Sequence, residues 1–135
     1  GVMHTHRTLV ASGRYGVKYM MADENACGLN VFTTAFIGWY NCTLPFLYGG
    51  SKIVYLPEWA PAKVLATIAA EQVSVCFLVP TMWRAVLREV NDSTDLSSLR
   101  RIGYAGEMMD RSTVMRLREG ICASIIDTYG TTETG

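Results

Sequence analysis

The densest run of reactive side chains is Tyr129-Gly130-Thr131-Thr132-Glu133-Thr134-Gly135, which sets an aromatic ring, three threonine hydroxyls and one carboxylate within seven positions. Hydroxyls donate to phosphate oxygens, a carboxylate can hold the Mg²⁺ that neutralises them, and an aromatic ring stacks on a base. The set suits a nucleotide phosphate, although the same residue types also make an ordinary surface turn. A second loop, Tyr104-Ala105-Gly106-Glu107-Met108-Met109, puts two small residues side by side, which lets a flat ligand such as a base approach the backbone.

Both loops follow segments that read as strands. Short apolar runs at 27–32, 52–56, 74–79, 101–105 and 124–128 are mostly apolar on both faces, as buried parallel strands are. Helical patterns at 8–21, 34–48, 61–72, 81–90 and 110–119 leave a helix between every consecutive pair of strands. Pro61 suits a first helical turn, Asp110 an N-cap, and Gly49-Gly50 and Gly120 helix ends. The expected fold is α/β: repeated βαβ units forming a mostly parallel sheet flanked by helices, with no internal domain boundary. Ligands of such sheets gather beyond the carboxyl ends of the strands, where both loops fall. Asp127, near the end of the last strand, is expected to be buried and hydrogen-bonded to neighbouring backbone. Phe36, Trp39, Tyr40, Phe46 and Tyr48 fall on one expected helix and its end, where core packing is the leading expectation and channel lining the other.

Composition narrows the function classes. Hydrophobic residues make up 50% of the 135 positions and charged ones 18%, which describes a globular chain with enough apolar side chains for a buried sheet. Twelve basic residues balance 12 acidic ones, and the longest basic run is Arg100-Arg101, so there is no electrostatic footprint for nucleic acid or an anionic membrane. Cys27, Cys42, Cys76 and Cys122 are widely spaced in apolar stretches with no C-x-x-C, the pattern of buried, reduced thiols and of a cytoplasmic protein. No secretory signal pattern opens the sequence. An uncharged stretch over 26–51 exceeds the ~20 residues that a membrane helix needs, but its Asn, Thr, Pro and Gly-Gly divide it into a strand, a helix and a turn, so no membrane span is expected.

Tyr129-Gly130-Thr131-Thr132-Glu133 resembles the Y-G-x-T-E core motif of the adenylate-forming superfamily, which includes acyl-CoA synthetases, nonribosomal peptide adenylation domains and luciferases. Other segments resemble that family in its own order. Gly1-Val2-Met3-His4-Thr5-His6-Arg7 is similar to the stretch after its Gly-rich phosphate loop, and Val79-Pro80-Thr81-Met82 to its V-P-T element. Asp95-Leu96-Ser97-Ser98-Leu99-Arg100 is similar to the lead-in to the next strand, and Tyr104-Ala105-Gly106-Glu107 to the G-G-E/A segment.

The resemblance spans the chain and is of the acyl-CoA synthetase type. It implies that residues 1–135 are part of an AMP-binding domain, without the family's upstream phosphate loop and C-terminal domain. ATP or AMP, Mg²⁺ and CoA are the implied cofactors, and a small carboxylic acid the implied substrate. By the same resemblance Tyr129 stacks on adenine, Thr132 binds the adenylate phosphate and Glu133 coordinates Mg²⁺. Gly106, Glu107 and Met108 line the adenine side, and Asp127, Gly130 and Thr131 complete the cofactor set. Thr33 and Ala105 fall on the substrate side. Thr33 stands where the family usually has His or another aromatic residue, Ala105 where Gly is common, and Met108 where Pro is common, so a narrowed acyl tunnel is expected at Ala105.

The implied activity is ATP-dependent formation of an acyl-AMP and transfer of the acyl group to CoA, which the piece alone would not complete. An amino-acid-activating domain is the alternative. Such a domain often carries an Asp for the substrate ammonium ahead of the V-P-T-like element, and here that region is neutral. A non-catalytic domain that retains the fold is the third reading. His4-Thr5-His6 lacks a further ligand for a metal and is read as a helix entry. No G-x-S-x-G, G-x-x-x-x-G-K-[ST] or G-x-G-x-x-G occurs, which sets aside serine-hydrolase, P-loop and dinucleotide-binding readings.

Overall fold

In the computed structural model, which describes residues 1–135, the apolar runs form five strands. These are β1 (Cys27–Asn30), β2 (Lys52–Tyr55), β3 (Val75–Leu78), β4 (Arg101–Ala105) and β5 (Ile125–Thr128). They build one sheet in the order β2-β1-β3-β4-β5, with every neighbouring pair parallel. Every residue of β1 and β3 is buried, which is why neither shows polar alternation. The edge strands β2 and β5 are only partly covered.

Parallel neighbours need crossover connections, and the helices supply them. Helices α4 (Pro61–Glu71), α5 (Pro80–Glu89) and α6 (Arg111–Gly120) cover one face, packing Ile68, Trp83 and Leu117 onto Leu29, Cys76 and Ile102. Helices α1 (His6–Met20) and α3 (Leu44–Gly49) cover the other, where Met20 and Phe46 meet Val75 and Phe77. From β1 the chain steps outward to β2, then returns across β1 to β3. The topological switch therefore lies between β1 and β3, the place where such sheets bind ligands.

The helix expected over 34–48 is two helices, α2 (Ile37–Asn41) and α3. Pro45 has no N–H to continue the α2 ladder, and it sits in the first turn of α3, where none is needed. Strand β1 ends at Asn30, two residues earlier than expected, because the side chain of this last ladder residue takes up the backbone that follows. Its Oδ1 accepts from Phe32 N at 2.9 Å, while Nδ2 donates to Trp39 O at 2.9 Å and Thr43 Oγ1 at 3.0 Å. That buried, fully bonded amide pins the β1–α2 connection over the strand ends.

Strand β4 packs tightly against its neighbour β3 and against α5. A Cβ on Gly103 would lie 2.1 Å from the Phe77 ring, so only glycine lets that ring lie flat on the strand. On the opposite side Trp83 Nε1 donates to Gly103 O at 2.9 Å. Arg101 Nη1 donates to Tyr19 O at 2.6 Å, tying the start of β4 to the end of α1. No helix is long and apolar enough to cross a membrane.

Candidate functional site

Beyond the carboxyl ends of β1, β3, β4 and β5 the chain encloses a cavity of about 340 Å³. Val79, Ala105 and Gly106 form its floor where β3 and β4 stop, and 128–131 form the wall beyond β5. Tyr19, Phe32, Phe36 and Phe77 line the rest, and no Asp, Glu, Lys, Arg or His side chain contributes. An apolar, largely preformed recess beside polar loops is the usual form of a small-molecule site.

Five of the expected site residues meet in this cavity: Ala105, Gly106, Tyr129, Gly130 and Thr131. Gly106 has φ +92°, a left-handed conformation that glycine adopts without strain and that turns the chain sharply off β4. Tyr129 is 98% exposed, its ring unpacked at the mouth of the recess. Thr132 and Glu133 follow on an exposed turn just outside it. That turn is closed by Thr134 Oγ1, which accepts from Thr131 N and donates to Thr131 O, both at 3.0 Å. Among the hydrogen bonds of the turn none uses the hydroxyl of Thr131 or Thr132, so both are available to an anion.

Others of the expected residues lie elsewhere. Glu107 turns away from the cavity, and its Oε1 accepts from Thr81 N, at the start of α5, at 3.0 Å. Met108 is 93% exposed. Thr33 is exposed and lines a separate recess of about 400 Å³ with Trp39 and Tyr55, whose rings stack at 5.8 Å, so it does not share the cavity of Ala105. The expectation for Asp127 is overturned: it is exposed on edge strand β5. Its carboxylate faces Tyr104, its register partner on β4. Burial chiefly, then the charge of Asp127 and a hydrogen bond to it, push the Tyr104 phenol up. An edge strand leaves one side open to water, so the carboxylate needs no backbone donor.

Among the aromatic residues of 36–48 both expectations hold, for different residues. Phe46 is buried against Gly28, whereas Phe36 is mostly exposed and lines the cavity. Sequence reasoning missed Tyr19 and Phe77. Their distance from the motif loops hides them, and the only signal was their place at the ends of an amphipathic helix and a buried strand. Burial first, and Cys42 second, raise the Tyr19 phenol, so it enters the cavity wall as a neutral hydroxyl. All four cysteines are buried with free thiols. Burial pushes Cys42, in the same wall, up to about 12, which rules it out as a nucleophile near neutral pH.

This arrangement, a polar hydroxyl loop and a glycine turn flanking an apolar recess at a parallel-sheet switch point, is accompanied by a family match over the whole length. The chain belongs to the AMP-binding enzyme family, whose model matches residues 1–135. It is 31% identical over 135 residues to the 3-hydroxybenzoate–CoA/4-hydroxybenzoate–CoA ligase of Thauera aromatica, covering 96% of this chain and 24% of that protein. It is 27% identical over 122 residues to gramicidin S synthase 2 of Brevibacillus brevis, covering 88% of this chain and 3% of that one. Among solved structures, the anthranilate CoA ligase AuaEII in complex with anthranoyl-AMP superposes with TM-score 0.89 at 26% identity, over 98% of this chain and 27% of that one. The chain thus spans about a quarter or less of these proteins' lengths.

Proposed function

We propose that these 135 residues belong to the ATP- and acyl-binding domain of a longer, cytoplasmic carboxylate–CoA ligase. The observation that carries the reading is the junction of an uncharged, aromatic-lined recess with the free hydroxyls of Thr131 and Thr132 at the ends of β4 and β5. In this reading the acid's carboxylate attacks the α-phosphorus of ATP, pyrophosphate leaves, and the CoA thiol then displaces AMP from the acyl-AMP. Tyr129 stacks on adenine and supplies position rather than chemistry. Thr132, with Thr131, donates to phosphate oxygens where charge accumulates in the transition state. Glu133 offers one carboxylate of the kind that would hold Mg²⁺, and the ion would supply neutralisation of the phosphate charge. Gly106 gives the base access to the backbone after β4.

The acid is proposed to be an aryl or fatty acid. Two features support this: the recess holds no charged side chain to pair with an ammonium group, and the ligases named above act on hydroxybenzoates and anthranilate. Carboxylate-dependent ATP–pyrophosphate exchange by the full-length protein tests it. Exchange with benzoate-type or aliphatic acids is expected. Exchange with amino acids alone would move the assignment to an amino-acid-activating domain, and no exchange with either would leave a domain that retains the fold without the reaction.

A further inference from the structure

The turn that carries Thr132 and Glu133 has a single fastening outside itself. Within it, Thr134 N donates to Thr131 O at 3.1 Å, and the Thr134 hydroxyl closes the same turn. The one hydrogen bond of 129–135 that reaches another element runs from His4 Nε2 to Thr132 O at 2.6 Å, across 128 positions of sequence. A carbonyl oxygen only accepts, so Nε2 carries the proton.

His4 is itself held in place. It immediately precedes Thr5, the N-cap of α1, whose hydroxyl accepts from Thr8 N at 3.2 Å while Thr8 Oγ1 accepts from Thr5 N at 3.1 Å. The second imidazole nitrogen, Nδ1, lies 3.4 Å from Thr8 Oγ1. On its other side the ring abuts Gly135, where a Cβ would sit 3.6 Å from His4 Cε1. The imidazole therefore joins a capped, 15-residue helix to a turn that otherwise bonds only to itself.

We infer that His4 is a positioning residue: its N–H fixes the Thr132 carbonyl, and thereby the direction in which the Thr132 hydroxyl and Glu133 carboxylate face a bound phosphate. The inference rests on the adenylate-forming reading of this turn. Without the bond, the turn must be ordered when nucleotide arrives, a cost that falls equally on the ground and transition states. Uniform loss of this kind raises KM for ATP and leaves kcat in place. A role confined to folding would instead lower the active fraction, and so the apparent kcat, at constant KM.

The test is ATP–pyrophosphate exchange by the full-length protein as a function of ATP, for wild type, His4→Leu and His4→Gln. Leucine keeps the bulk without a donor, and glutamine returns an N–H close to the position of Nε2. His4→Leu is expected to raise KM for ATP roughly five- to tenfold with kcat unchanged, and His4→Gln to restore most of the loss. An unmoved KM in His4→Leu, a change confined to kcat, failure of His4→Gln to restore, or loss of folding in His4→Leu overturns the inference while an active wild type keeps the adenylate-forming reading. A wild type without exchange overturns both.

Discussion

Glu107 Oε1 accepts a hydrogen bond of 3.0 Å from Thr81 N, which fastens the loop after β4 to the first turn of α5. Helix starts leave backbone N–H groups without partners, and Val79, the N-cap of α5, offers no side-chain acceptor. The carboxylate fills that role from 26 positions away and also suits the positive end of the helix dipole. It thereby sets the path of Gly106 along the cavity floor. Glu107→Ala is expected to lower stability by about 1 kcal/mol, with Glu107→Gln losing less. Urea denaturation checks this, and an unchanged midpoint for Glu107→Ala would remove the capping role.

Gly103 leaves room for the ring of Phe77, its register partner on β3. Gly103→Ala forces the Phe77 ring, 2.1 Å from the new Cβ, out of its place in the core. Overpacking of this kind costs about 1–3 kcal/mol, and the displaced ring would move into the cavity that Phe77 lines. The expected result is a lower melting temperature together with weaker binding of an acyl-AMP analogue, and Gly103→Ala with Phe77→Leu should recover part of the stability. A lone Gly103→Ala that melts like wild type contradicts the packing.

Much of this architecture is legible in the sequence, for physical reasons that also mark where legibility ends. Strands β1 and β3 declare themselves because burial on both faces leaves them mostly apolar, with Asn30 the one polar residue, and Pro61 and Asp110 mark helix starts through local chemistry. The interruption between α2 and α3 was signalled by Pro45, but the apolar run around it masks the break. Asp127 misleads because β5 has the composition of a buried strand while lying at the sheet edge, and which strand is the edge depends on topology. Tyr129, Gly130 and Gly106 stand out through the resemblance of their loops to family motifs, since their residue types alone also describe a surface turn. Tyr19, the Glu107–Thr81 cap and the His4–Thr132 bond join residues far apart in sequence, and no local pattern encodes them.

Thiol chemistry offers a check on burial. Burial raises Cys42 to about 12 and raises Cys76 as well, so neither forms appreciable thiolate near neutral pH. Native protein treated with a thiol reagent at about pH 8 should leave both unmodified, and all four cysteines should react once the chain is unfolded. Rapid native modification of Cys42 would show that the cavity wall is open.

Stability should fall in acid in part through Asp110. Its carboxylate accepts from Ser112 Oγ at 2.6 Å, Thr113 Oγ1 at 2.7 Å and Thr113 N at 2.9 Å, and these bonds hold it well below the usual carboxylate range. Because the folded value is the lower one, the charged cap stabilises fully above the ordinary Asp value of about 4. The contribution fades as pH falls below it toward the depressed folded value. The gap in melting temperature between wild type and Asp110→Ala is therefore expected to be widest near neutrality and to narrow in acid. A gap independent of pH would contradict this assignment.

Whether this site holds an adenylate is tested most directly by calorimetric titration of the full-length protein and its Tyr129→Ala variant with AMP and Mg²⁺. Tyr129 is 98% exposed, so its removal should leave the melting temperature where it was. Loss of stacking on a base costs about 1–3 kcal/mol, so AMP affinity is expected to fall by about five- to 150-fold. Equal affinity for AMP in wild type and Tyr129→Ala would contradict the placement of adenine on this ring.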